Sequence, residues 1–183
     1  MKTESTVMYV LRLAGTLLLI AAVVAMALAG VNMITAPIID ALNEAKTQQA
    51  IEAVLPGGGQ EIAFTDDTGL VAKVYQSELG YAVQVTPGGF DGTIDMMVGI
   101  DNEGNILGIS IISHTETAGL GAVAAAKTSA GEAFRGQFEG QSGSVGTAKR
   151  GTGTLDAITG ATITSEAICV GVNAALDCVA NLG

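Results

Sequence analysis

The chain has no tryptophan, and aromatic residues make up only 4% of its 183 residues. Histidine occurs once, at His114, and cysteine twice, at Cys169 and Cys178. No Cys-x-x-Cys pair and no Cys/His spacing suggests a metal ion or an iron–sulfur cluster, so no metal site is expected. The two cysteines fall in what reads as one helix. They would stand about 13 Å apart along it, beyond the roughly 7 Å Cα limit for a disulfide. Both read as small buried thiols. After residue 34 the only arginines are Arg135 and Arg150. With a single histidine, that is too few for a site that grips a small organic acid. Residues 1–34 carry a charge of +1 and the remainder −11, for a net −10. A domain this acidic repels phosphate backbones, which argues against a nucleic-acid partner. Apolar residues still reach 49%, enough for a globular core and too many for a disordered chain.

Charge is also missing where it matters most. Residues 13–31 contain none (LAGTLLLIAAVVAMALAGV). Nineteen apolar helical residues come close to the length needed to cross a bilayer. Lys2 and Arg12 flank the N-terminal end, and no further Lys or Arg follows until Lys46. The positive-inside rule then puts the N-terminus in the cytoplasm and the main domain on the far side. A cleaved signal peptide is the rival reading, because Ala27-Leu28-Ala29 resembles a small-residue cleavage site. The run is longer than a usual signal core, which favours a retained anchor. Either way the domain is exported. With no charged residue inside the span, the chain has no visible ion pathway of its own.

The rest divides by pattern. Residues 1–34 read as the anchor, 35–56 as a connecting helix that stops at Pro56-Gly57-Gly58-Gly59, and 57–183 as one domain. The connecting helix has a broken apolar stripe (Ile38, Ile39, Leu42, Ala45, Ala50, Ala53, Val54) and reads as a spacer without chemistry. Residues 70–76, 81–86, 93–100 and 106–112 are rich in β-branched residues or alternate apolar with polar. Turn chemistry separates them, which predicts an antiparallel meander. Residues 122–127 and 130–138 read as short helices, 139–154 as a Gly/Ser/Thr-rich loop, and 164–180 as a final helix. The expected class is α+β: one transmembrane helix, a mostly antiparallel sheet with flanking helices, and a C-terminal helix.

The segment Asp156-Ala157-Ile158-Thr159-Gly160-Ala161-Thr162-Ile163-Thr164-Ser165 is the most informative. It is a small-residue turn entering a helix. Gly160 lets backbone approach a ligand closely. Hydroxyls and N–H groups gather at a helix N-terminus, which suits a phosphate. Ordinary capping by Thr164 or Ser165 fits the same spacing equally well.

Asp-x-Ile-Thr-Gly-Ala-Thr-x-Thr resembles the flavinylation motif of the FMN-binding domain family. The resemblance implies that a flavin transferase links the FMN phosphate to the Thr162 hydroxyl. Thr159, Gly160 and Ala161 would complete the core, with Asp156 opening the motif and Ile158 within it. A threonine hydroxyl is a poor nucleophile unless activated, so a separate enzyme would supply the activation. Ser113-His114-Thr115-Glu116-Thr117-Ala118-Gly119-Leu120-Gly121 resembles the family's His-x-Glu-Thr-Pro-Gly-Leu-Gly segment, with Ala118 in place of the usual proline. By resemblance this loop lies against the flavin. His114 would be near it, Glu116 and Thr117 would offer polar contacts, and Gly119, Leu120 and Gly121 would allow close approach. Residues 134–140 (FRGQFEG) and the turn at 87–92 (PGGFDG) also fit the family pattern.

The order of anchor, helix, strands and two motifs is similar to the G subunit of Rnf electron-transport complexes, across nearly the whole chain. That implies an electron-carrier subunit of a membrane-bound, ion-translocating ferredoxin:NAD oxidoreductase, partnered by the other subunits and not a complete enzyme alone. The C subunit of the sodium-translocating NADH:quinone reductase shares the domain but is usually longer. A stand-alone exported, membrane-anchored flavoprotein is a further alternative. A pilin-like structural protein also pairs an apolar helix with a sheet, but leaves Thr-Gly-Ala-Thr unexplained. Gly119-Leu120-Gly121-Ala122-Val123-Ala124 fits a dinucleotide fingerprint by letters only, since a polar loop parts it from the preceding strand. Lys149 and Arg150 precede the motif and read as a solvated loop pair, with pairing to a phosphate as the alternative.

Overall fold

The structure is a computed structural model that describes residues 6–148 and 153–182. Lys149 and Arg150 lie outside the described residues. The chain divides after Ala45 into two compact units. Helix α1 spans Thr6–Val54 and includes Pro37. Its apolar side chains from Met8 to Leu42 are largely exposed, as a membrane span requires of a chain viewed alone. The C-terminal helix α3 (Thr162–Ala180) is also long and apolar enough to cross a membrane by composition. Ten of its residues are buried, seven of them in the domain core, so it reads as a core helix.

The second unit is built on one sheet. Strands β1 (Gln60–Ile62), β2 (Val71–Ser77), β3 (Gly80–Val85), β4 (Ile94–Asp101) and β5 (Ile106–His114) pair in sequence order, every neighbour antiparallel. The expected meander is present, and β1 adds an edge strand whose three residues are too short to give a sequence signal. The central strands are buried on both faces. On one face Val74, Val83, Met96, Val98 and Ile109 pack against Ile168, Val172 and Ala175 of α3. The approach is close: a Cβ on Gly171 would come within 2.6 Å of Met96 Cε. On the other face Ala50, Ile51, Val54 and Leu55 pack on Tyr75, Ala82 and Met97. Gly99 leaves no room for a side chain against Val54. The end of the supposed spacer helix is therefore half of the sheet's cover.

Between β5 and α3 come a short 3-10 helix (Gly121–Ala125) and α2 (Ser129–Gly136). The first falls on the short helix expected at 122–127 and is a single 3-10 turn without a side-chain cap. α2 is capped by Thr128, whose hydroxyl accepts from Gly131 N–H at 3.3 Å. Arg135 donates to the Ala124 and Ala126 carbonyls at 2.6 and 3.1 Å, tying α2 to the 3-10 turn. Cys169 and Cys178 are buried and unbridged on α3. Burial, with the negative charge of Glu166, pushes the Cys169 thiol up to about 11.

Candidate functional site

Three segments far apart in sequence meet at one end of the sheet. The β3–β4 loop brings Phe90, the loop after β5 brings Glu116, Thr117, Leu120 and Gly121, and the start of α3 brings Gly160 to Thr164. Together they enclose a cavity of about 330 Å³, within the size range of small-ligand sites. Its rim is apolar: Phe90 is 66% exposed, Leu120 44% and Ile163 50%.

Glu116 stands at the junction of the three segments and is buried. Its Oε1 accepts the N–H groups of Phe90 at 2.7 Å and Asp91 at 3.2 Å. Its Oε2 accepts the Thr164 hydroxyl at 2.6 Å. Gly89 and Gly121 make this possible, since a Cβ at either position would overlap the carboxylate. Burial alone would push this carboxyl up. The hydrogen bonds from Thr164, Asp91 and Phe90, with the charge of His114, outweigh it and hold the group below its ordinary value. An ionised carboxylate is thus kept as an internal clamp, and both its oxygens are engaged by the chain's own donors.

The motif around Thr162 has its own internal logic. Gly160 turns the backbone at φ +79°, a conformation that favours glycine. α3 then begins at Thr162, two residues before the start that the sequence pattern predicts. The reason is that Thr164 and Ser165 do not cap it. Thr164 is spent on Glu116, while the Ser165 hydroxyl donates to Ala161 O at 2.9 Å and accepts Ile158 N–H at 3.0 Å. No side chain caps the helix at Ala161. A helix N-terminus carries partial positive charge and N–H groups without intrahelical acceptors. With Thr162 at its first position and on the cavity wall, this end has the chemistry to seat a phosphate.

The expected site residues do not all face this cavity. Thr162, Gly160, Ala161, Glu116, Thr117, Leu120 and Gly121 line it. Asp156, Ile158, Thr159 and Gly119 line a neighbouring cleft of about 620 Å³, whose other wall is α2. His114 ends β5 opposite Ile94 and belongs to neither lining, and its Nδ1 is buried without a hydrogen-bond partner. Phe90, Ile163 and Thr164 line the cavity although sequence reasoning does not single them out as site residues. A lone phenylalanine in a Pro-Gly-Gly-Phe-Asp-Gly turn is the available signal for the first. Gln137 lies within the FRGQFEG segment, where the sequence alone assigns it no role. Its amide accepts Asp156 N–H at 2.7 Å and donates to Asp156 O at 3.2 Å, which fixes the start of the motif.

Residues 89–177 match the FMN-binding domain family, a span that contains every cavity-lining residue. The domain is therefore of the FMN-binding class. The chain is 34% identical to the G subunit of the Na(+)-translocating ferredoxin:NAD(+) oxidoreductase complex of Acetobacterium woodii, over 94% of this chain and 93% of that protein. It is 29% identical to the G subunit of the ion-translocating oxidoreductase complex of Methanosarcina acetivorans, over 90% and 91% respectively. A proton-translocating counterpart from Clostridium ljungdahlii is 37% identical over 54% of this chain and 52% of its own length. The chain belongs to the G-subunit family of these ion-translocating oxidoreductase complexes.

Proposed function

We propose that this chain is an electron-carrier subunit of a membrane-bound, ion-translocating ferredoxin:NAD oxidoreductase complex, with FMN joined to the Thr162 hydroxyl by a phosphoester. The observation that carries the reading is the position of Thr162: first residue of α3, on the wall of a cavity whose rim is apolar. The donor set fits the group. A helix N-terminus and a hydroxyl suit the phosphate, apolar walls suit a flavin ring, and Gly160 and Gly121 keep the two loops close. Bound there, the flavin would supply one- and two-electron transfer, and the protein would position it and set its potential.

In this reading Gly160, Ala161 and Thr162 hold the phosphate end, while Thr117, Leu120 and Gly121 face the rest of the flavin. Glu116 acts by holding the walls together. Asp156, Ile158, Thr159 and Gly119 belong to the neighbouring cleft and shape the motif for the flavin transferase that loads the site. Residues 1–34 anchor the chain with its N-terminus in the cytoplasm, residues 35–56 connect and cover one face of the sheet with Ala50 to Leu55, and residues 57–183 carry the flavin on the far side. Partner subunits deliver and remove the electrons.

The test is intact-mass analysis of the protein from its native host beside a Thr162→Ala variant. The wild type is expected to gain the mass of one FMN less one water, and to show yellow fluorescence that survives denaturing electrophoresis. The variant is expected to show neither. A wild type without flavin, or a variant that keeps it, would overturn the reading.

A further inference from the structure

We propose that Phe90 is a positioning residue for the flavin ring, forming with Leu120 and Ile163 the apolar clamp on which the ring rests. The inference depends on the FMN reading above and extends it to a residue outside both sequence motifs. Isolated exposed apolar side chains are ordinary on a protein surface. Here three come from three separate segments, the β3–β4 loop, the loop after β5 and α3, and line one cavity. Convergence of that kind marks a binding surface.

The backbone beneath Phe90 is held in place. Its N–H donates to Glu116 Oε1 at 2.7 Å, and Asp91 N–H donates to the same oxygen at 3.2 Å. The Thr115 hydroxyl donates to Asp91 O at 2.9 Å, and Gly89 N–H donates to Gly92 O at 2.7 Å. An aromatic side chain has only two torsions, so on a pinned backbone it makes a platform at small entropic cost. Aromatic rings prefer offset or edge contacts with other aromatic systems, and a flavin ring offers a broad face for them. The Glu116 carboxylate at the back of the cavity does not compete, since both its oxygens are engaged within the chain. With the phosphate end fixed at Thr162, the apolar rim is the surface left to orient the ring.

The test uses the full chain loaded with flavin in its native host, as wild type, Phe90→Trp and Phe90→Ala. Intact mass comes first, and all three are expected to carry one FMN. The chain has no tryptophan of its own, so an indole introduced at this position is the only one present. In van der Waals contact with the ring it quenches flavin emission by excited-state electron transfer. Phe90→Trp is therefore expected to lose most of its emission per bound flavin and to regain it in denaturant. Phe90→Ala is expected to lose visible-region circular dichroism and to gain a fast component in flavin anisotropy decay. Far-ultraviolet circular dichroism matching the wild type verifies the fold of both variants. If Phe90→Trp emits like the wild type while carrying its flavin, the ring does not rest on residue 90 and the proposal falls. If the wild type carries no flavin, the failure lies in the FMN reading beneath it.

Discussion

Two hollows lie side by side along the motif. The boundary between them passes between Gly119 and Leu120 on one loop and between Thr159 and Gly160 on the other. The cavity on the Thr162 side is the smaller, has an apolar rim, and is closed at the back by a buried carboxylate. The cleft on the Asp156 side is broader and more open, and its wall is the exposed flank of α2. One run of ten residues therefore serves two surfaces with different chemistry. The cavity is walled by groups that the chain's own hydrogen bonds hold in place. The cleft leaves Asp156 and Thr159 exposed, where another molecule can reach them. Contiguity in a motif does not mean a shared surface.

The largest effect should come from breaking the clamp at the back of the cavity. Glu116→Ala leaves two backbone N–H groups and the buried Thr164 hydroxyl without their acceptor. The expected loss is about 3 kcal/mol, read as a fall of about 10 °C in the thermal midpoint. The loss should depend on pH in one direction. The folded-state carboxyl is held below its ordinary 4.5. Its contribution is then complete above the ordinary carboxylate range and disappears as pH falls through the folded value. Denaturant midpoints of wild type and variant should differ most near neutrality and converge in acid. A gap that stays constant into acid would mean that charge on Glu116 is not what the clamp uses.

The strands of this fold are legible in the sequence because β-branched runs and turn residues are local signals, and α3 is legible through its helical spacing. The features that define the site are not local. Glu116 reaches back 25 and 26 residues to Asp91 and Phe90, and forward 48 to Thr164. No periodicity encodes such contacts. The motif resemblance picks out Glu116 as a polar site residue, and the structure adds that both its oxygens also accept from donors within the protein. The same limit explains the helix start. Thr164 and Ser165 are ordinary capping residues by type, and only the third dimension gives them other partners, which moves the start to Thr162. The end of α1 reads as a mere spacer because its apolar stripe is sparse. Ala50, Ile51, Val54 and Leu55 are nonetheless buried against the far face of the sheet.

The comparison can be sharpened from the cleft side, where smaller effects are expected. Gln137→Ala removes the amide that brackets the Asp156 backbone. Those hydrogen bonds are exposed, so the stability loss should be about 1 kcal/mol. On the proposed reading, flavin loading by a transferase should slow several-fold, because the start of the motif is no longer held in one shape. Once loaded, the variant's flavin emission should match the wild type, since no cavity-lining residue has changed.

Asp156→Asn is the finer probe. The side chain is exposed and the substitution keeps its size, so the thermal midpoint should stay within the equivalent of about 0.5 kcal/mol. The emission, anisotropy and circular dichroism of bound flavin should also be unchanged, because Asp156 faces the cleft and not the cavity. Only the initial rate of loading, followed by intact mass over time with the transferase supplied, should fall. A change in the spectrum of the loaded flavin would erase the division between the two hollows, because it would make Asp156 part of the flavin's own surroundings. A slower rate with an unchanged spectrum would assign the first half of the motif to the molecule that delivers the flavin, and the second half to the flavin itself.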